Sequence, residues 1–275
     1  MRLLWFVSEA RHIEALEAVI RVAELNNQQR LHRRPNDLLV PATCDCIELY
    51  VDAIDENLFK AHADKANTDY LLIRDERPKL ALFDMDSTLI EQEVIDQLAA
   101  AFGLGDQVSA ITERAMRGEL DFIASFTERL GLLNGLAESE LDVVYQSLTL
   151  MPGASTLAAN LSGAGVRLGI VSSGFSYFAN QIGERLGMDF VLSNKLECRD
   201  GRVTGRVVQP IIDGSMKLQT LESEARALAI ELAETMAVGD GANDIPMLTA
   251  SGIGVADRKS TRLNSSHSSV SRMPS

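Results

Sequence analysis

Two acidic side chains follow an apolar segment near the middle of this 275-residue chain, within the sequence LALFDMDSTL that begins at Leu80. An unbroken apolar run of this kind is typical of a strand that is buried on both faces of a parallel sheet. In open α/β sheets, ligands bind at the carboxyl ends of the strands, which is where Asp84 and Asp86 lie. Because side chains alternate along a strand, we predict that both carboxylates leave the backbone on the same side.

Polar residues follow two further predicted strands. Ser172 and Ser173 come after the predicted strand Val166–Val171, and the sequence GDGAND comes after the predicted strand Thr235–Val238. Each feature alone has an ordinary explanation, since Asp, Asn and Gly are common in turns and helix caps. Their joint position at one edge of a sheet is the stronger signal.

Several carboxylates at one sheet edge would repel each other and raise each other's pKa unless a cation neutralised them. Mg²⁺ fits best, because proteins hold it through one or two carboxylates together with waters and a substrate phosphate. The sequence therefore predicts a Mg²⁺ site with the ligands Asp84, Asp86, Asp240 and Asp244.

Such a site can hold a phosphoryl group between the metal, the Ser172 hydroxyl and the ammonium group of Lys217, which lies at the start of a predicted helix. A carboxylate placed in line with the phosphorus can attack it and form an aspartyl phosphate. A second carboxyl group can protonate the leaving oxygen and later accept a proton from water. We assign Asp84 as the nucleophile and Asp86 as the acid and base.

The elements that position these residues alternate between strand and helix, which predicts an α/β fold with a doubly wound, mostly parallel Rossmann-like sheet. Its predicted core comprises residues 78–90 and 152–256. Between these segments, residues 91–151 form an inserted helical cap, with predicted helices at Glu93–Phe102, Val108–Arg117, Leu120–Leu130 and from Ser139 onward. Glycine directly after three of these helices suits their C-terminal caps.

Two terminal segments stand apart from this pattern. Residues 1–77 are predicted to form a small N-terminal α/β domain, joined through the charged linker at Arg74–Lys79. We expect residues 257–275, which are rich in Ser and show no periodicity, to be an unstructured, non-native tail.

Composition sets limits on function. The chain is 46% hydrophobic and 24% charged, with a formal net charge of −13, which argues against a nucleic-acid-binding surface. No apolar run approaches the roughly 20 residues that span a bilayer, so we expect a cytoplasmic protein that binds no membrane. An odd number of cysteines, three in all, fits a reducing compartment, and the pair Cys44 and Cys46 lacks the second pair that a zinc site needs. Assembly as a homodimer is left open.

The segments DMDST, VSSG and GDGAND, together with Lys217, resemble the four motifs of the haloacid dehalogenase superfamily in order and spacing. Within the cap, EQEVID, ITERAMRGELDF and TERL resemble the phosphoserine phosphatase family. These enzymes release serine from O-phospho-L-serine in the last step of serine biosynthesis and use Mg²⁺.

The resemblance implies roles for several further residues. Glu93 would bind the substrate ammonium and Arg129 its carboxylate, with Met116 and Phe122 closing over the site. Ser172, Ser173, Lys217 and Asn243 would bind the substrate around its phosphate. The family usually has two glycines where this chain has Ser173 and Gly174, and we expect the Ser173 backbone N–H to keep its phosphate contact if its conformation does not require glycine.

Two other functions stay open at this point. One is a phosphatase or phosphotransferase of the same superfamily that acts on another small phosphomonoester, although such a substrate would not need the pair Glu93 and Arg129. The other is a catalytically silent phosphate-binding or sensor protein. The presence of all four residues Asp84, Asp86, Lys217 and Asp240 argues against it.

Overall fold

The computed structural model describes residues 78–256 in full and, within residues 1–77, the backbone of four strands. The chain divides into two compact units, with the boundary between Arg77 and Pro78. The tail predicted at residues 257–275 and most of the predicted N-terminal domain lie outside the described residues.

The four described strands of the N-terminal unit form an antiparallel sheet in the order β2-β3-β1-β4. Their bounds are Arg2–Val7 (β1), His32–Arg33 (β2), Asp45–Tyr50 (β3) and Asp69–Ile73 (β4).

The second unit is built around a five-stranded sheet in the order β11-β10-β5-β6-β7, in which every neighbouring pair is parallel. The strands are Leu80–Phe83 (β5), Arg167–Phe175 (β6), Phe190–Asn194 (β7), Thr235–Gly239 (β10) and Ile253–Ala256 (β11). All four residues of β5 are buried, as its apolar run predicted. The chain leaves this central strand toward both edges of the sheet, which creates a crevice at the carboxyl ends. The predicted α/β fold with a doubly wound, parallel sheet is confirmed for this unit.

Four helices follow β5 before the sheet resumes. They are Val94–Ala101 (α1), Gly105–Met116 (α2), Phe122–Leu132 (α3) and Ser139–Ser147 (α4). The two chain segments that enter and leave this helical group are paired, because Ile90 bridges Leu150 and Gln92 exchanges hydrogen bonds with Thr149. The helical group therefore joins the sheet through one short, hydrogen-bonded double connection.

Helices also flank the sheet, at Ala154–Gly163 (α5), Ser176–Leu186 (α6), Gly214–Ala227 (α7) and Ile245–Ala250 (α8). The core lies between them and the sheet, with Phe83, Phe175 and Phe178 among its largest fully buried side chains. No helix in the described part of the chain is long and apolar enough to span a membrane.

A hairpin joins Leu196–Arg199 (β8) to Arg202–Val207 (β9). Its turn residues Asp200 and Gly201 both have positive φ, as a type I′ turn requires. Its strand β9 pairs with the helical group rather than with the sheet, since Gly135 donates to the Val203 carbonyl and Val203 donates to Leu136.

Two predicted boundaries were wrong. Helix α3 continues through Gly131 to Leu132, where the sequence suggested a stop, and β9 approaches this end of the helix closely because Gly205 has no side chain. The segment Ser172–Gly174, predicted as a loop, instead extends β6 to Phe175 with a shift in its pairing to β7.

Candidate active site

Asp84 lies directly after β5, is 6% exposed, and is fixed at one of its two carboxylate oxygens. Its Oδ1 accepts a hydrogen bond from the Met85 backbone N–H at 2.8 Å and lies 2.9 Å from the Lys217 ammonium nitrogen. Its backbone N–H donates to the Val238 carbonyl, which ties it to the neighbouring strand β10. The carboxylate is therefore held in one orientation at the carboxyl end of the central strand.

Lys217 is fully buried and contacts a second carboxylate, with its ammonium nitrogen 2.6 Å from Asp244 Oδ1. Burial by itself would lower the pKa of Lys217, but the Asp84 and Asp244 carboxylates offset that effect and hold the pKa above its ordinary value. The lysine is therefore a fixed positive charge at the centre of the site.

Three carboxylates converge around this lysine, because Asp84, Asp240 and Asp244 each place an oxygen within 4.8 Å of the others. With Lys217 as the buried cation, the group has a formal excess of two negative charges. One divalent cation would neutralise it, and an all-oxygen donor set is the set that Mg²⁺ takes. The residues present thus fit the predicted metal. The Asp86 carboxylate, which we also predicted as a ligand, lies outside this group of three.

The same crowding raises the pKa values of two of these acids. Burial, and then the nearby Asp84 charge, raise the pKa of Asp240 to about 7 and that of Asp244 to about 6. A carboxylate that resists losing its proton in this way gains most from a bound cation.

Close backbone packing brings Lys217 to this edge of the sheet. Gly214, the first residue of α7, packs so tightly on the backbone of Asn243 that a Cβ would lie 2.6 Å from the Asn243 carbonyl oxygen. Asp213 caps the helix by accepting a hydrogen bond from the Met216 N–H. The helix therefore begins against the loop that carries the acids, with Lys217 one turn inside it.

The segment Ser172–Gly174 forms another wall of the site. The Ser172 Oγ accepts a hydrogen bond from the Gly174 N–H at 2.9 Å, and the Ser173 Oγ accepts one from the Asn243 side chain at 3.2 Å. Within the described residues, positive φ outside glycine occurs only at Ser87, Asp200 and Ala229, so the conformation of Ser173 does not require glycine.

Asn194 braces that segment from behind. It is 1% exposed, donates its side-chain amide to the Ser173 carbonyl at 2.7 Å, and accepts from the Ile212 N–H at 2.9 Å. The Ser173 hydroxyl also donates to the Ile212 carbonyl. One buried amide thereby links β6, β7 and the segment that leads into α7.

Asp86 faces the first cap helix. Its Oδ1 accepts a hydrogen bond from the N–H of Val94, the first residue of α1, at 2.9 Å. A Cβ on Gly174 would lie 2.4 Å from Asp86 Oδ2, so any larger residue there would displace the Asp86 carboxylate. Burial, and then the Glu93 and Asp84 charges, raise the pKa of Asp86 well above its ordinary value. A carboxyl group in this environment keeps its proton, as a general acid must.

Glu93 lies directly before α1, where its side chain is accessible to solvent and accepts a hydrogen bond from the Ser87 hydroxyl at 2.8 Å. The surrounding protein displaces enough water to raise its pKa, while the Ser87 hydrogen bond and the positive charge of Arg129 oppose that rise. Arg129 lies in α3, half-buried, with its Nε donating to the Ser125 carbonyl. The two predicted recognition residues are thus close enough to influence each other.

Phe122 and Met116 differ in their surroundings. Phe122 stacks on Phe126 with 6.1 Å between ring centroids, and Phe126 contacts Phe175 at the end of β6. Met116 ends α2 with its side chain 60% exposed. The predicted role of Met116 in covering the substrate therefore stays a prediction.

Sequence reasoning missed two residues of this site. Ser87 was treated as a small loop residue, and nothing in the pattern indicated its left-handed conformation. Asn194 was assigned no role, although a polar residue at the end of an apolar strand is the signal that could have found it.

Comparisons with known proteins identify the family of the chain. The family model for haloacid dehalogenase-like hydrolases matches residues 81–249. A phosphoserine phosphatase from Archaeoglobus fulgidus is 47% identical over 178 residues, covering 65% of this chain and 52% of the relative. A phosphoserine phosphatase from Lactococcus lactis is 44% identical over 177 residues, covering 64% of this chain and 82% of the relative. The chain spans about half the length of the first curated relatives it matches.

Solved structures show the same fold. A HAD family hydrolase from Salmonella enterica serovar Typhi superposes with a TM-score of 0.83 at 29% identity, covering 95% of this chain and 91% of the other. A structure described as a phospho-aspartyl intermediate analogue of phosphoserine phosphatase gives a TM-score of 0.62 at 37% identity, covering 66% and 87%.

Proposed function

The chain belongs to the haloacid dehalogenase-like hydrolase family, and from this premise we propose that it hydrolyses O-phospho-L-serine to L-serine and phosphate. The observation that carries the proposal is the fixed Asp84 carboxylate, held by Lys217 beside two further acids at the carboxyl end of the central strand. Relatives that are 44–47% identical and bear the name phosphoserine phosphatase support the choice of substrate.

Asp84 acts as the nucleophile. Since the Met85 N–H and Lys217 both contact Oδ1, we assign the attack on phosphorus to Oδ2. A bond forms between this oxygen and phosphorus while the bond from phosphorus to the serine oxygen breaks, which gives an aspartyl phosphate.

Asp86 handles the proton. Its raised pKa keeps the carboxyl group protonated until it donates to the leaving serine oxygen. The resulting carboxylate then accepts a proton from a water molecule, which attacks the phosphorus, releases phosphate and restores Asp84.

Mg²⁺ is the proposed cofactor, with Asp84, Asp240 and Asp244 as carboxylate ligands and Asp86 as the fourth predicted contact. When bound, it would offset the negative charge of the phosphoryl group as that group is transferred. The charge balance of the cluster supports this assignment, because Lys217 neutralises only one of the three acids.

The remaining site residues bind the substrate in this proposal. Lys217, Asn243, the Ser172 hydroxyl and the Ser173 backbone hold the phosphate. Glu93 receives the ammonium group and Arg129 the carboxylate, since a planar guanidinium pairs well with a carboxylate. Met116 and Phe122 cover the bound molecule.

We assign a role to each part of the chain. Residues 78–90 and 152–256 serve as the catalytic core, 91–151 as the cap, and 1–77 as an accessory domain. The enzyme would work in the cytoplasm, in the last step of serine biosynthesis.

The test measures phosphate release from O-phospho-L-serine and from a panel of other small phosphomonoesters, in Mg²⁺ and in EDTA. We expect activity on phosphoserine that requires Mg²⁺ and is lost in Asp84→Asn. In Arg129→Ala the preference for phosphoserine over esters without a carboxylate should fall at least about tenfold, the effect of removing a charged hydrogen bond.

Arg114→Ala is the matched control, because Arg114 is a cap arginine that pairs with the surface acids Glu119 and Glu128. Activity that persists in EDTA or in Asp84→Asn would refute the mechanism. A preference for another phosphomonoester, or an Arg129→Ala preference equal to that of Arg114→Ala, would refute the substrate.

A further inference from the structure

Ser87 has an unusual backbone for a serine, with φ at +54°. Glycine and asparagine adopt this left-handed conformation with less strain. Strained residues persist where the surrounding structure holds them, and they cluster at functional sites. A serine at this position therefore indicates a need for its hydroxyl group.

That hydroxyl has one partner among the described contacts, which is the Glu93 carboxylate. The Ser87 Oγ donates to Glu93 Oε1 at 2.8 Å, and the Ser87 backbone N–H donates to the Gln92 carbonyl at 3.2 Å. One residue further out on each side, the Val94 N–H donates to the Asp86 carboxylate at 2.9 Å. Three hydrogen bonds thus join the loop after β5 to the start of α1.

Glu93 needs such a restraint. Its side chain is accessible to solvent, and a glutamate there has several rotamers of similar energy. A carboxylate binds a cationic group best when a neighbour already holds it in the binding orientation. The left-handed conformation of Ser87 directs the hydroxyl at this carboxylate.

We propose that Ser87 is a positioning residue that fixes the Glu93 carboxylate to receive the amino group of the substrate. The proposal rests on the proposed function, because it concerns the ammonium end of phosphoserine. It adds a determinant of substrate specificity that lies in the catalytic loop rather than in the cap.

Two substitutions separate the hydroxyl from the backbone strain. Ser87→Ala removes the hydroxyl and keeps the Cβ in its strained position, whereas Ser87→Gly removes the hydroxyl and relieves the strain. Ser147→Ala is the matched control, since Ser147 lies at the end of α4 and its hydroxyl donates only locally, to the Val144 carbonyl at 2.7 Å.

The assay compares kcat/KM for O-phospho-L-serine with kcat/KM for 3-(phosphonooxy)propanoate, which is the same molecule without the amino group. We expect the wild type to prefer phosphoserine. Both Ser87 variants should reduce the ratio of the two constants about tenfold, mainly through KM for phosphoserine, and Ser147→Ala should leave the ratio intact. Ser87→Gly should melt at a higher temperature than Ser87→Ala while showing the same loss.

Three results would overturn the inference. If both Ser87 variants keep the wild-type ratio, the hydroxyl does not position Glu93, and the proposed function stands. If the two substrates lose activity in parallel, Ser87 serves only the structure of the loop. If the wild type itself does not distinguish the two substrates, the proposed function fails, and this inference fails with it.

Discussion

Replacing Lys217 by Met should strongly destabilise the metal-free protein. Methionine has nearly the shape of lysine without its charge, so the substitution removes the ammonium group and leaves the space filled. The buried Asp84 and Asp244 carboxylates, whose Oδ1 atoms lie 2.9 and 2.6 Å from that nitrogen, then lose their cation. Breaking a buried pair in this way costs about 3–5 kcal/mol of the free energy of unfolding.

A double-mutant cycle tests whether the loss of stability in Lys217→Met comes from the unpaired carboxylates. Asp244→Asn in the Lys217→Met background removes one of the stranded carboxylates, so the double variant should be more stable than Lys217→Met alone, with a coupling energy of about 1–3 kcal/mol. Urea unfolding in EDTA measures all four proteins. Lys195→Met, at an exposed lysine, is the control and should change stability by less than about 0.5 kcal/mol.

A free energy of unfolding for Lys217→Met in EDTA within about 1 kcal/mol of the wild-type value would contradict this prediction, because a buried unpaired charge destabilises a protein by more than that. The prediction also fails if the two substitutions simply add. In either case the three acids would be neutralised by protons rather than by Lys217, and the case for a divalent cation from charge balance would weaken.

Three further predictions follow from the same contacts. The raised pKa values of Asp240 and Asp244 mean that the folded, metal-free protein binds more protons than the unfolded chain between about pH 4 and pH 7. The free energy of unfolding in EDTA should therefore fall as pH rises through that window. For the same reason Mg²⁺ should raise the melting temperature more at pH 8 than at pH 5. Calorimetry in which Mg²⁺ stabilises equally at both pH values would contradict this. Asn194→Ala should cost about 2–4 kcal/mol in urea unfolding, since it leaves the Ser173 carbonyl and the Ile212 N–H buried without partners, and a loss below about 1 kcal/mol would count against the brace. Ser173→Gly should keep kcat/KM within about threefold, because the backbone at this position does not require glycine. It should lose about 1–2 kcal/mol of stability, because the hydrogen bond to the Ile212 carbonyl is lost. A large gain in activity would show that serine distorts the segment that binds the phosphate.

The parts of the fold that were predictable are those in which one physical effect dominates. The apolar run of β5 predicted a strand buried on both faces, and all four of its residues are buried. The turn at Asp200-Gly201 was predictable because few residue pairs tolerate two positive φ angles in succession. The end of α3 was not predictable from Gly131, because a glycine near a helix end often marks the C-terminal cap but can also lie within the helix, as it does here.

The candidate site also has parts that could be predicted from the sequence and parts that could not. The carboxyl ends of parallel strands lie at one edge of a sheet, so the acids that follow β5 and β10 could be grouped from the sequence. The sequence also placed Asp86 in that group, whereas the observed group comprises Asp84, Asp240 and Asp244. The sequence could not show which acid contacts Lys217, because that depends on where α7 begins, and α7 begins where Gly214 packs on the backbone of Asn243.

Hydrogen bonds between the loop after β5 and the start of α1 couple the general acid to the carboxylate assigned to the ammonium group. The Asp86 carboxylate accepts from the first N–H of α1, and Glu93 directly before that helix is held by Ser87. Any movement of α1 relative to the sheet must therefore change both the acid that protonates the leaving group and the carboxylate assigned to the ammonium. Binding of the amino end and readiness of the acid are coupled through one helix terminus, so a substrate that lacks the amino group should lose kcat as well as affinity.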